Sequence, residues 1–269
     1  LATPEGRVDA VREASGPAVA AWSDLRGIAK QWERTGVDKR YLERVWLNRW
    51  TASEAQAFDV VRWHELGMAG ARIVPGEAVS VGLDGARWKD TTGLVVTSLT
   101  SGLQLPWVWV PEDYGDDGIP TGEVEAVVDD IFARYAVARM YYDPAQGWDS
   151  IMAEVAGRYG KRVLQFYTDS RNLRRTASMC RSYASAIKAG EVTHNGDDVF
   201  ERHIGAAQRR DIRMNDEDGT PLWVMEKERH DSPNKIDLAM AGGLSWQARL
   251  DAITKGEGRP AAPAHVYVF

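Results

Sequence analysis

The sequence holds a single cysteine, Cys180, so no internal disulfide is available and the chain suits a reducing compartment. It has no apolar run near the ~18 residues that cross a bilayer and no secretory leader pattern, so neither a membrane span nor membrane partners are expected. No His/Cys cluster with zinc spacing, helix-turn-helix signature or RNA-recognition motif is visible, and no internal repeat. Positive charge is also short, with 33 Lys and Arg against 39 Asp and Glu and a formal net charge of −6. That balance argues against coating nucleic acid through bulk electrostatics, yet it leaves room for a local basic groove. What is present is 269 residues with 44% apolar character, enough for one sizeable core plus an appendage in an enzyme-sized soluble chain. The chain starts at Leu1, as a processed product or an excised piece would.

Two textures follow one another along the chain. Residues 1 to about 70 have helical spacing in VDAVREASGPAVAAWSDLRGIAKQWERTG and LERVWLNRWTASEAQAFDVVRWHELG. Pro75-Gly76 ends that regime. VSVGL, TTGLVVTSL and LQLPWVWV then read as three short strands in an antiparallel meander. EVEAVVDDIFARYA predicts a helix, VARMYYD a strand, WDSIMAEVAGRYG a helix and RVLQF a strand. NLRRTASMCRSYASAIKAG and DVFERHIGAAQRR predict further helices, and IRMNDEDGTPLWVMEKE a hairpin turning at Asp218-Gly219. The last helix is KIDLAMAGGLSWQARLDAI, with Ser232 and Pro233 placed to cap and start it.

Three antiparallel strands, then helix, strand, helix, strand, imply right-handed crossovers onto one sheet. The predicted fold class is α/β and ribonuclease-H-like: a mixed central sheet with helices on both faces, plus a helical N-terminal segment. The first strand and the strand after the first long helix lie side by side in such a sheet, so Asp84 and Asp143, both at strand carboxyl ends, emerge as neighbours. Two carboxylates that close repel unless a cation sits between them. Asp237 of the last helix is a third, beside the apolar stripe Ile236, Met240, Leu244, where Gly242-Gly243 would let the helix lie close to the sheet. Hard oxygen ligands without a Cys/His cluster point to two ions of Mg²⁺ or Mn²⁺ and to in-line displacement at phosphorus.

At three places the residues resemble the nuclease domain of the large terminase subunit of tailed bacteriophages. VGLDGARWKDTTGLVV is similar to that family's first acidic strand with an acidic and threonine pair after it, MYYDPAQGW to its second acidic motif, and SPNKIDLAMAGGLSW to its third. WLNRW and GDDVFERHIGAA are similar to other landmarks, so the likeness runs from about Val45 to Ala252. It implies that Asp84, Asp143 and Asp237 are catalytic metal ligands and that Asp90 and Asp231 are lesser candidates. It implies an endonuclease that cuts double-stranded concatemeric DNA during packaging, in the cytoplasm of an infected bacterial host. The portal and the small terminase subunit are the implied partners. Complete large terminases carry an ATPase motor, but no G-x-x-x-x-G-K-[ST] phosphate loop occurs here. The expected division is therefore residues 1–75 as linker and tail of the motor region, 76–255 as nuclease, and 256–269 as a loosely held tail.

Plainer readings stand beside these. An Asp at a strand-to-turn junction is commonly a turn former, Asp143 before Pro144 can start a turn, and Asp237 can complement a helix dipole. His194 and His230 read as surface or loop histidines, Cys180 as packed, and Trp107 and Trp109 as packing residues. Arg171, Arg174, Arg175 and Arg181 fall on one predicted helix, Arg202, Arg209 and Arg210 on the next, and Lys227, Arg229 and Lys235 before the last. They are candidates for sequence-independent contacts to DNA phosphates. A transposase or junction resolvase is the nearest rival among enzymes, and a non-catalytic DNA-clamping or portal-docking module the rival outside them.

Overall fold

Apolar residues alternate with small or polar ones in VSVGLDG, and this strand is the axis on which the site is built. The structure is a computed structural model that describes residues 1, 3–34, 39–47, 56–88, 90–144, 147–229 and 232–258. The chain divides into two compact units, Leu1–Ala55 and Gln56–Phe269.

The first unit contains α1 (Pro4–Ala20), α2 (Leu25–Lys30) and α3 (Lys39–Leu47). Thr3 and Asp24 cap the first two, their side chains accepting from the N–H groups of Gly6 and Gly27 at 3.1 and 2.9 Å. Gly16, at φ +72°, breaks α1 ahead of Pro17. Val11, Trp32, Leu42 and Leu47 form a small core.

The second unit begins at Gln56, ahead of the Pro75-Gly76 break where the sequence places the boundary. Its elements are α4 (Val60–Glu65), β1 (Ala78–Gly85), β2 (Thr92–Ser98), β3 (Leu103–Trp109), α5 (Thr121–Arg134), β4 (Ala136–Tyr142), α6 (Asp149–Tyr159) and β5 (Val163–Gln165). There follow α7 (Leu173–Ala189), β6 (Thr193–His194), α8 (Asp198–Ala206), β7 (Gln208–Asn215), β8 (Pro221–Glu226) and α9 (Asp237–Thr254). Six strands form one sheet in the order β5-β4-β1-β2-β3-β6, and β7 pairs with β8 in a separate hairpin. β1, β2 and β3 are the antiparallel meander, and β4 and β5 run parallel to β1. This is the ribonuclease-H-like arrangement expected from the order of elements.

Alternation assigns the two faces of β1. Val79, Val81 and Leu83 pack with Val124, Val128 and Ile131 of α5 and Met152 and Val155 of α6. The opposite face carries Ser80, Gly82 and Asp84, and α9 lies on it. A Cβ on Gly82 would sit 2.1 Å from the Ala241 carbonyl oxygen and 2.4 Å from the Ser245 nitrogen, and one on Gly93 would sit 3.0 Å from the Asp237 carbonyl carbon. The helix backbone therefore rests on the strands where they have no side chains. A buried polar seam fixes its register. Ser80 Oγ donates to the Ser245 carbonyl at 2.8 Å, Thr97 Oγ1 and Ser245 Oγ are 2.6 Å apart, and Gln104 Nε2 donates to the Gly242 carbonyl at 3.1 Å. On its far side α9 meets α7, α8 and β8 through Met179, Tyr183, Phe200 and Met225.

Several expectations change. Gly242 and Gly243 do not serve the sheet contact; a Cβ there would meet Tyr183 Oη at 2.6 Å and the Met225 methyl at 3.4 Å, so they admit the outer layer. α8 ends at Ala206, where Ala207 takes an extended conformation and accepts from the Ala57 N–H at 3.0 Å, so Arg209 and Arg210 lie on β7 and not on a helix. α9 starts at Asp237, and Ser232 instead accepts from the Asn234 N–H at 3.2 Å in the preceding turn. His194 is not on the surface: it is buried on β6, its ring stacked 4.3 Å from Trp63 and its Nε2 2.9 Å from the Trp63 carbonyl. Cys180 is buried as expected, and burial pushes its thiol up to about 12. Glu257, in the segment expected to be loose, makes a bidentate pair with buried Arg139 at 3.0 and 2.5 Å; residues 259–269 lie outside those described.

The close approach at Gly82 yields a prediction. Gly82→Ala should destabilise by about 3 kcal/mol or more, because α9 would have to shift. Gly157→Ala, in α6 with nothing within 4 Å of the added methyl, should instead stabilise by about 0.5–1 kcal/mol. Urea unfolding of both variants checks this, and equal midpoints would discount the glycine contact.

Candidate metal centre

Asp84 is the last residue but one of β1 and Asp143 directly follows β4. The Asp143 N–H donates to the Leu83 carbonyl at 3.2 Å, so the two aspartates sit at adjacent carboxyl ends of parallel strands. Both fall on the α9 face by alternation. α9 brings Asp237 to the same place from its first turn. The three line a cleft of about 490 Å³ together with Asp90, Thr168, Asp169, Arg171 and Lys227.

The electrostatics are those of crowded carboxylates. Burial raises the Asp84 carboxyl well above its ordinary value, and Asp237, Asp143 and Asp90 add to this by like-charge repulsion. Asp237, 4% exposed, is pushed up to about 6 by burial and by Asp90, against the opposing hydrogen bond from Thr91. Asp143 is raised by burial while the Thr168 hydroxyl and N–H oppose the shift. Asp90 behaves differently: burial works to raise it, but hydrogen bonds from Lys227 and Lys235 outweigh that and hold it below the usual carboxylate range. Lys235 Nζ lies 2.8 Å from Asp90 Oδ1, and Lys227 bonds Oδ2.

Each carboxylate thus has its own setting. Thr91 Oγ1 donates to Asp237 Oδ2, and Thr168 Oγ1 donates to Asp143 Oδ2 with the Thr168 N–H at 3.3 Å from the same oxygen. Among the described residues no three His, Cys, Asp or Glu side chains already form a tight metal cage; the aspartates line the cleft without closing on one point. The donor chemistry nonetheless fits a hard divalent cation. Among the described residues that line the cleft the candidate donors are carboxylate oxygens, with no imidazole or thiolate beside them, and Asp84 and Asp237 are raised by burial and by repulsion that a cation would relieve.

His203 holds the start of α9. The N-cap residue, Ile236, supplies no side-chain cap, and His203 Nδ1 accepts from the Leu238 N–H at 3.0 Å. Burial first, and the Arg202 charge after it, push this imidazole down to about 4, so it stays neutral and can accept. Sequence reading missed His203 and Thr168. The only signal for Thr168 was its place just past a parallel strand's carboxyl end, and for His203 there was none, because its partner is 35 residues away.

The basic residues are dispersed. Arg171 lies on the cleft rim, paired with Asp169 at 2.9 Å. On α7, Arg174 donates to the Asn215 carbonyl at 3.3 Å, Arg175 lies 3.9 Å over the Phe166 ring, and Arg181 pairs with Asp216 at 2.7 Å. Arg209 pairs with Asp211 at 2.9 Å and Arg210 pairs with Glu226. Lys227, which lines the cleft, and Lys235 both pair with Asp90. Asp231 and His230 lie outside the described residues.

The burden on Asp237 has a sign that can be tested. Its folded-state carboxyl is raised, so between the unfolded value and about 6 the folded protein holds more protons; stability without metal falls as pH rises through that window. Asp237→Asn removes the charge and should stabilise the protein in EDTA at pH 8 by up to roughly 3 kcal/mol, with little difference at pH 4. Denaturant titrations at the two pH values read this. A variant weaker than its parent at pH 8 would mean that partners hold the anion more strongly than burial opposes it.

No family model matches the chain. The chain is 25% identical to the Gene 13 protein of Mycobacterium phage D29 over 261 residues, 89% of this chain and 42% of that protein. It therefore spans about two-fifths of the length of that relative. Among solved structures, the large terminase nuclease of thermophilic phage G20c with bound magnesium aligns over 73% of this chain and 98% of its own, at 14% identity and a TM-score of 0.52. The large terminase of bacteriophage HK97 aligns over 82% of this chain and 49% of its own, at 15% identity and a TM-score of 0.54. The chain has the fold of the nuclease domains of phage large terminases.

Proposed function

We propose that the second unit is a metal-dependent endonuclease that cuts double-stranded concatemeric viral DNA during genome packaging. The observation that supports this most is the meeting of Asp84, Asp143 and Asp237 in one cleft at the carboxyl ends of β1 and β4 and the start of α9. Mg²⁺ or Mn²⁺ suits these oxygens, and the G20c nuclease, which shares the fold, has bound magnesium. Two such ions would supply an activated water and stabilise the leaving oxygen at phosphorus.

The chain's own residues do the positioning. No hydrogen bond reaches the Asp84 carboxylate among the described residues, so both its oxygens are open to cations. Asp143 and Asp237 are each held on one side and open on the other. Lys227 and Lys235 neutralise Asp90, which lowers the negative charge that an incoming phosphate meets. Arg171, with a side chain 85% exposed on the rim, is placed to contact a phosphate without reading bases. An ATPase motor in the same protein, the portal and the small terminase subunit are the proposed partners, in the cytoplasm of an infected bacterium.

Supercoiled plasmid is the test. With Mn²⁺ or Mg²⁺ the chain should nick and linearise it without sequence preference, and EDTA should stop this. Asp84→Asn, Asp143→Asn and Asp237→Asn should each lower the rate by about 10²-fold or more while the fold is kept. Two of the three cutting at the parental rate would remove the assignment, and no ion bound at millimolar Mn²⁺ would favour a clamping module instead. For the DNA path, Arg171→Ala with Arg174→Ala should weaken duplex binding about equally for unrelated sequences. The salt dependence should flatten by ~0.9 for each phosphate that the protein no longer neutralises. An unchanged salt titration would move the path elsewhere.

A further inference from the structure

We propose that Thr91 and Thr168 are positioning residues of this centre: each hydroxyl engages one oxygen of a carboxylate, Asp237 and Asp143 respectively, and leaves the other oxygen for a divalent cation. The inference rests on the metal reading above and deepens it. The two arrangements come from unrelated parts of the chain. Thr91 immediately precedes β2 and reaches across to the first turn of α9, 146 residues away. Thr168 lies three residues past β5 and reaches back to the end of β4. The same solution is thus built twice at one cleft.

The chemistry favours orientation over mere contact. An ionised carboxylate only accepts, so each threonine must donate, and a donor on one oxygen restricts rotation of the whole group. Thr91 is 3% exposed, and burial together with β-branching restricts its χ1, so its hydroxyl is itself held in place. At Asp143 the restriction is doubled, because the Thr168 hydroxyl and N–H converge on the same Oδ2. Asp84 receives no such donor among the described residues. Two carboxylates are therefore oriented and one is left open, an asymmetry that packing alone does not require. Partners of this kind commonly carry 10–100-fold in metal affinity.

Valine keeps the shape of threonine and loses the donor; serine keeps the donor and loses the methyl. Thr91→Val and Thr168→Val should therefore bind Mn²⁺ about 10–100-fold more weakly by calorimetric titration of the whole chain. The matching serine variants should stay close to the parent, and melting curves in EDTA should show all four folded. Folded valine variants that bind Mn²⁺ as the parent does would overturn this inference and leave the metal centre standing. A parent that binds no Mn²⁺ would overturn both. If buried Thr91→Val fails to fold, Thr168→Val, at the open cleft, decides alone.

Discussion

The backbone of α9 lies on β1 and β2 closer than any side chain would allow, and the site depends on that approach. Gly82 and Gly93 remove the two Cβ atoms that would hold the helix off. Along this contact Ser80, Thr97, Gln104 and Ser245 satisfy one another and the helix backbone with mutual and helix-directed hydrogen bonds. Buried polar groups of this kind specify register as well as stability, since a slide of α9 by one residue would orphan several at once. Register is what the chemistry requires. Asp237 is the first residue of α9, and only this docking sets it against Thr91 and beside Asp84.

Bringing like charges together costs stability, and the protein distributes that cost unevenly. Asp90 is neutralised outright by two lysines. Asp143 and Asp237 are partly relieved by threonines, and Asp84 by the charge of Lys227 but by no donor among the described residues. The order makes physical sense for a cation site. A carboxylate fully satisfied by the protein has little to gain from a metal, whereas one left under repulsion gains most. The strain is local because the elements behind it are well packed, with Leu83 and Met140 buried on one face and Leu238, Ala241 and Leu244 on the other. A site of this kind is held in place by the core and cannot relax by drifting apart.

Much of this was legible in the sequence where local pattern and function coincide. VSVGLDG and VARMYYD each show a strand ending in an aspartate, and the order of elements makes those strands neighbours. Both statements need only periodicity and the handedness of crossovers. What escaped depends on contacts distant in sequence. β6 is two residues long and exists because β3 offers an edge. His194 looks like a loop residue until Trp63 stacks on it, and His203 like a helix surface until Leu238 presents an N–H. The pair Gly242-Gly243 points to the sheet because paired glycines suggest close approach. The partner that needed room was the outer layer, while the sheet supplied its own glycines. A helix-like continuation from Ala206 into Gln-Arg-Arg is equally reasonable locally, and only pairing with β8 makes it a strand.

The arrangement of arginines bears on how such a centre meets DNA. Arg171, Arg181, Arg209 and Arg210 each face an aspartate or glutamate already. A phosphate arriving at any of them replaces a carboxylate, so it gains the difference between two similar interactions rather than a full ion pair. With a net charge of −6, long-range attraction does not make up the shortfall. On the proposed reading, modest intrinsic affinity is what a packaging nuclease needs: a motor moving DNA past a tightly binding nuclease would stall or be cut at random. Tethering raises the effective DNA concentration without adding a contact, so a weakly binding centre can act when its partners present the duplex and stay idle when they do not. On that reading the paired arginines and the crowded Asp84, eased only by the charge of Lys227, belong to one design, poor at capturing DNA and suited to a cation.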